Sequence, residues 1–217
     1  MKEHRYLSID LETTGLNDKY CQVLEIGVVI ADWETPVEEL PTWRCYVDSE
    51  DENDGVPFFY GQPYALWLNS QIFRYLAMRP KNEEEALEMG FEEYVPIVHP
   101  DAIGRPLAAF LTDNGMDLRD HQTAAGKNFS SFDMQFLKRF PSLKENKVIF
   151  RHRAIDPVMY YWRPEDDGNR LPSMDTCMER AGIPGPVPHK AVDDAQIVIK
   201  LIRQAKALGL IQGKQIR

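Results

Sequence analysis

Cysteine is scarce in this sequence. Cys21, Cys45 and Cys177 are the whole supply, with no CxxC spacing and no clustered histidines beside them. That excludes a structural zinc site and a disulfide framework, and three isolated thiols fit a reduced, cytoplasmic setting. An excess of positive charge is missing too. Against 34 Asp and Glu stand only 25 Lys and Arg, a net charge of −9. Such a balance argues against gripping long duplex DNA through many phosphate contacts. A short nucleic-acid substrate survives that exclusion, provided bound cations cancel part of the charge. No apolar run is long enough to span a membrane. The opening "MKEHRYLSID" meets a carboxylate before an apolar run can develop, so no signal peptide is expected. Repeats, low-complexity tracts and clear linkers are lacking, and residues 1–217 read as one domain.

What is present begins with β-like runs. "YLSID", "QVLEIGVVIADW" and "TWRCYVD" are joined by short polar links, which predicts an antiparallel meander. An acidic loop, "SEDENDGVP", leads into "FFYGQPYALWLNSQIFRYLAM", whose second half reads as helix. Further helices are predicted at "NEEEALEMGFEEY" and at "AIGRPLAAFLTDNG", the latter ending at Asn114-Gly115. "HQTAAGKN" then reads as a short strand, "SSFDMQFLKRF" as a helix and "KVIFRHRAID" as a strand. "LPSMDTCMERAGI" and "KAVDDAQIVIKLIRQAKALG" close the chain as helices. Strands first, then alternating β and α, predict an α/β fold with helices packed on a mixed sheet.

Charge is uneven along this frame. Acids crowd residues 32–54 and 83–93, whereas Lys200, Arg203, Lys206, Lys214 and Arg217 follow Ala195 without an acid. Lys138, Arg139, Lys144, Lys147, Arg151 and Arg153 form a second basic stretch. Each is either a solvated face or a surface that steers phosphate.

Three places put acids where apolar residues belong. Side chains alternate along a strand, so Asp10 and Glu12 point the same way beside a sheet that should be buried. Two like charges that close repel by at least about 1 kcal/mol in water, and by several once water leaves. Asp133 precedes Phe136, Leu137 and Phe140 at helical spacing and so lies on an apolar stripe. Ser130-x-x-Asp133 also fits a capping box, which would place Asp133 at a helix start for structural reasons alone. Asp194 precedes Val198, Leu201 and Ile202 in the same way, while Asp193 is rotated about 100° toward a surface or capping position. His189 follows Pro188, where a loop can hold an imidazole near Asp194. Four inward acids without thiolates or paired histidines favour Mg²⁺ or Mn²⁺ over zinc. Acidic sites of this kind often hold two ions roughly 3.5–4 Å apart, which suits phosphodiester chemistry. Imidazole, which titrates near neutrality, suits proton removal from an attacking water.

At "DLETTGL" (10–16), "NFSSFD" (128–133) and "HKAVDDA" (189–195) the chain resembles the histidine-containing (DEDDh, DnaQ-like) branch of the DEDD exonucleases. That family belongs to the ribonuclease H-like superfamily. The resemblance implies a central five-stranded mixed sheet flanked by α-helices, and 3′→5′ hydrolysis of single-stranded DNA or short RNA to nucleoside 5′-monophosphates. It further implies that Asp10, Glu12, Asp133 and Asp194 hold two Mg²⁺ ions, which Mn²⁺ can replace, with His189 as general base. Leu11, Thr13, Thr14 and the adjoining backbone would meet the terminal nucleotide. Leu16 would wedge between the last two bases, and Asn128 and Phe132 would line the terminal one. A homodimer is a common family arrangement. The acidic, aromatic stretch around 48–115 matches none of these motifs. Its Phe58, Phe59, Tyr60, Tyr64 and Trp67 either stack on bases or cover the far side of the sheet. A silent nucleic-acid-binding module and a structure-selective endonuclease are the rival functions.

Overall fold

The computed structural model of the chain describes residues 4–48 and 59–211. The acidic loop 49–57, Phe58, Lys214 and Arg217 lie outside them. The strands are β1 (Tyr6–Thr13), β2 (Val23–Ala31), β3 (Thr42–Val47), β4 (Ile97–Val98) and β5 (Ala124–Ala125). The helices are α1 (Pro63–Leu68), α2 (Ser70–Met78), α3 (Glu83–Glu88), α4 (Gly104–Asp113), α5 (Asp133–Leu137) and α6 (Pro141–Glu145). They continue with α7 (Val158–Tyr161), α8 (Pro164–Asp167), α9 (Met174–Ala181) and α10 (Ala191–Ala207).

β2 reads "VLEIGVVIA" and is buried at every position, as a central strand covered on both faces must be. The predicted meander is present, β1 antiparallel to β2 and β2 to β3. Parallel edge strands complete the order β4-β3-β2-β1-β5. Alternation then sorts β1. Leu7, Ile9 and Leu11 enter one core with Ile26, Val28, Leu107, Phe129 and Phe136. The opposite face meets α10, where the Ser8 hydroxyl donates to the Ala195 carbonyl at 2.7 Å.

The fifth strand is not where the sequence placed it. "KVIFRHRAID" forms only two isolated bridges, Gln122 with Phe150 and Ala125 with Ile155. Arg151, His152 and Arg153 between them are exposed, and two guanidinium groups with a polar imidazole between them cannot enter a sheet covered on both faces. β4 supplies the fifth strand instead, from the stretch that matched no motif. The helix predicted over 130–140 is shorter as well. It starts at Asp133 and stops after Leu137, because Phe140 precedes Pro141 and takes ψ 90°, outside the helical range.

Gly27 sets how closely α10 lies on the sheet. A Cβ there would fall 2.4 Å from the Ala191 carbonyl carbon and 2.5 Å from the Val192 nitrogen. Only a residue without a side chain lets the first turn of α10 rest on β2 beside Asp10, its register partner. Gly27→Ala is therefore expected to lift that turn and cost about 1–3 kcal/mol. A urea melt identical to that of the wild type would show that the helix has room to spare.

Candidate active site

Three distant segments converge on one cleft of about 600 Å³. β1 contributes Asp10, Leu11 and Glu12, and the turn after it contributes Leu16. The segment entering α5 contributes Asn128, Phe132 and Asp133. His189 and Asp194 arrive from the start of α10. Ligand atoms of Glu12, His189 and Asp194 all lie within 4.8 Å of one another.

Local structure explains each placement. The strand pairing of β1 with β2 shifts register between Glu12 and Thr13, a bulge of the kind that re-aims side chains next to active sites. Asp133 is the first residue of α5, and its carboxylate accepts from its own backbone N–H and from that of Leu11. The capping-box alternative fails, since α5 has no side-chain cap. Asp194 sits in the first turn of α10 and accepts the backbone N–H of His189. His189 is exposed and holds φ 54°, a left-handed conformation that costs energy outside glycine and clusters at functional sites. Pro184, Pro186 and Pro188 stiffen the strap that carries it. Asn128 is also left-handed, at φ 58°, and its N–H donates to Asp156 Oδ2 at 3.0 Å.

The acids repel one another in poor solvent. Burial is the largest influence on all four, and their neighbours add to it. It pushes Glu12 from its ordinary 4.5 up to about 8, with Glu25 and Asp194 contributing. Asp133 rises from 3.8 to about 8, and Asp194 from 3.8 to about 7, where Asp193 adds to burial. Asp10 is raised well above its ordinary value by burial and then by Asp133, Asp194 and Glu12.

This is the donor set a hard divalent cation fits: oxygen ligands, one imidazole and uncompensated negative charge. Asp194 Oδ1 is buried without a hydrogen-bond partner among the described residues, and buried carboxylate oxygens seldom go unmet. The protonation consequence has a definite sign. Folded pKa values lie above unfolded ones, so between pH 4.5 and about 8 the folded state binds more protons. Stability contributed by the protonated carboxyls is therefore present at low pH and lost as pH rises through the folded values. Each tenfold gain in proton affinity on folding is worth about 1.4 kcal/mol, so the loss is on the order of several kcal/mol. In EDTA the melting temperature should fall from pH 5 to pH 8, and Mg²⁺ should flatten the slope. A level profile in EDTA would mean that the protein already neutralises these acids by itself.

Two expected contacts are placed differently. Thr13 and Thr14 do not line the cleft. The Thr13 hydroxyl donates to the Gly15 carbonyl at 2.8 Å. Thr14 is fully buried, donating to the Tyr60 carbonyl at 2.6 Å and accepting from the Gln22 N–H at 2.8 Å. Leu16, by contrast, is 74% exposed, and the Phe132 ring meets Phe136 edge to face at 5.1 Å.

Other residues at the site escaped the sequence reading. Glu25, fully buried on β2 opposite Glu12, is paired with Arg44 and accepts the Ala191 N–H. An acid inside "VLEIGVV" was its visible signal. Asn69 donates to the Thr13 carbonyl at 3.2 Å and hydrogen-bonds Glu12; a polar residue between "ALWL" and "SQIF" marked it. Lys127 lines the cleft and brings a positive charge to it, with no signal beyond its nearness to Asn128.

No protein-family model and no curated protein sequence matches the chain. Compared by shape, the five-stranded mixed sheet with flanking helices is the ribonuclease H-like α/β fold seen in exonuclease structures. An exonuclease I structure superposes with a TM-score of 0.56 at 16% identity, covering 94% of this chain and 41% of the other. E. coli exonuclease I in complex with a dA16 oligonucleotide gives 0.54, 16%, 94% and 41%. The zinc-ion-bound form of the E. coli exonuclease I complex with single-stranded DNA gives 0.53, 16%, 95% and 41%. The chain thus spans about two fifths of those proteins, and at this identity the likeness is one of fold. No helix among the described residues is long and apolar enough to cross a membrane.

Proposed function

We propose that this chain is a divalent-metal-dependent 3′→5′ exonuclease that removes nucleoside 5′-monophosphates from single-stranded nucleic acid. The observation that carries the reading is the meeting of Asp10, Glu12, Asp133, His189 and Asp194 in one cleft. Its support is a fold shared with exonuclease I, whose complexes contain single-stranded DNA oligonucleotides. DNA is accordingly the first substrate to try, with short RNA the second.

In this mechanism the four carboxylates hold two Mg²⁺ ions, with Mn²⁺ as a substitute. Bound there, the ions supply Lewis-acid polarisation of the phosphodiester and a more acidic water. The protein's own groups do the rest. An imidazole nitrogen of His189, at the open side of the cleft, takes the proton from the attacking water. Lys127 offsets phosphate charge at the rim. Leu16 wedges between the last two bases, and Phe132 and Asn128 flank the terminal nucleotide, whose 3′ end meets the backbone around Leu11 and Thr13.

The test feeds 5′-labelled DNA and RNA strands, of two and of twenty nucleotides, to the protein with Mg²⁺ or with EDTA. A ladder shortening from the 3′ end, abolished by EDTA, is expected. Internal cuts would favour a structure-selective endonuclease, and retention without cleavage would favour a silent binding module.

A further inference from the structure

The segment 59–78 divides its aromatic residues between two settings. Phe59 and Phe73 meet edge to face at 4.8 Å and pack on the cluster built around Leu24 and Tyr46. Tyr60, Tyr64 and Trp67 turn outward and are 63%, 67% and 70% exposed. Tyr64 and Trp67 lie three residues apart on α1 and so share a face, their ring centroids 6.0 Å apart and their planes 38° from parallel. Scattered exposed apolar residues are ordinary. Large rings side by side on a helix with no buried residue are not, and contiguous patches of this kind mark binding surfaces.

α1 is held by hydrogen bonds to the turn that carries Leu16. The Gln62 N–H donates to the Thr14 carbonyl at 2.7 Å, and Gln62 Oε1 accepts the Leu16 N–H at 3.2 Å. The Thr14 hydroxyl reaches the Tyr60 carbonyl, and at the far end of the helix Asn69 reaches the Thr13 carbonyl. Gly61 permits the approach, since a Cβ there would fall 2.3 Å from the Thr14 carbonyl oxygen. The rings therefore stand on the same scaffold as the cleft mouth. The charge pattern agrees. In a chain of net charge −9, residues 59–78 include no Asp or Glu and carry Arg74 as their sole charge.

We infer that Tyr64 and Trp67, with Tyr60 beside them, form a stacking platform for bases of a single strand that extend past Leu16 away from the scissile end. This rests on the exonuclease reading and adds to it a reason for preferring strands longer than the cleft itself holds. Every base has a π-face, so the platform is indifferent to sequence, and it favours unpaired over paired strands.

The experiment compares wild type with Tyr64→Ser/Trp67→Ser, both sites being exposed and free of core contacts. The preference for a twenty-mer over a dinucleotide, measured as the ratio of kcat/KM values, is expected to fall about tenfold or more. A twenty-mer with bases only on its last two nucleotides and abasic sites elsewhere should behave on wild type as the intact twenty-mer does on the variant. Equal ratios for wild type and variant would overturn the platform. Binding of the twenty-mer in EDTA separates this inference from the one beneath it. A wild type that binds the strand but never shortens it in Mg²⁺ removes the exonuclease reading, yet the platform stands if the double variant releases the strand. A double variant that binds as tightly as wild type ends the platform whatever the nuclease assay shows.

Discussion

Asp10→Asn is expected to abolish turnover while raising the melting temperature of the metal-free protein. Asp10 shares the cleft with Asp133, Asp194 and its β1 neighbour Glu12, and burial with those charges holds its carboxyl far above the usual range. An uncharged amide of the same shape relieves that repulsion, so stability rises wherever the acid would have been ionised. The same change removes a ligand and a negative charge from the proposed metal site. Groups that merely orient ligands cost roughly 10–100-fold when lost, and a ligand itself should cost more. The two readouts must move in opposite directions. A variant that loses activity together with its fold would point to a structural part for Asp10, and wild-type turnover would remove it from the mechanism.

His189 carries the second large effect. A general base contributes about 10²–10⁴-fold, and removing the imidazole should cost that much near neutral pH. The substitution to choose is His189→Asn, because position 189 holds φ 54° and Asn tolerates that conformation better than Ala does. Loss of rate then reports the ring and not a rebuilt loop. Recovery is expected toward alkaline pH, where hydroxide takes over from the base. The dependence on Mg²⁺ concentration discriminates a second role. His189 lies within 4.8 Å of Glu12 and Asp194, close enough to serve as a ligand. A variant with unchanged Mg²⁺ dependence and an altered pH–rate profile has lost a base. A weakened Mg²⁺ dependence with an unaltered profile means that a ligand was lost, and it would falsify the assignment of His189 as base.

The acids of the proposed site were legible in the sequence, because its signals are local conflicts. Asp10 and Glu12 close an apolar strand, Asp133 and Asp194 interrupt apolar helix stripes, and period-2 and period-3.6 patterns expose such intruders without any knowledge of the fold. The β1–β3 meander, the end of α4 at Asn114 and the long last helix are local too, set by alternation, capping and helical periodicity.

Features that depend on long-range pairing emerged only on folding. The fifth strand went to Ile97–Val98 and not to residues 147–156, a choice made by which backbone fits beside β3 and by where Arg151 to Arg153 can stay in water. Thr14 turned inward because Tyr60 and Gln22 offered its hydroxyl both an acceptor and a donor. Glu25 and Asn69 stood out in the sequence as polar intruders, but folding alone brought them and Lys127 to the site, since nothing in a linear pattern states which residue will stand opposite Glu12. Side-chain periodicity is written along the chain; the partner across a sheet is selected in space, by packing and by the cost of leaving a buried polar group unmet.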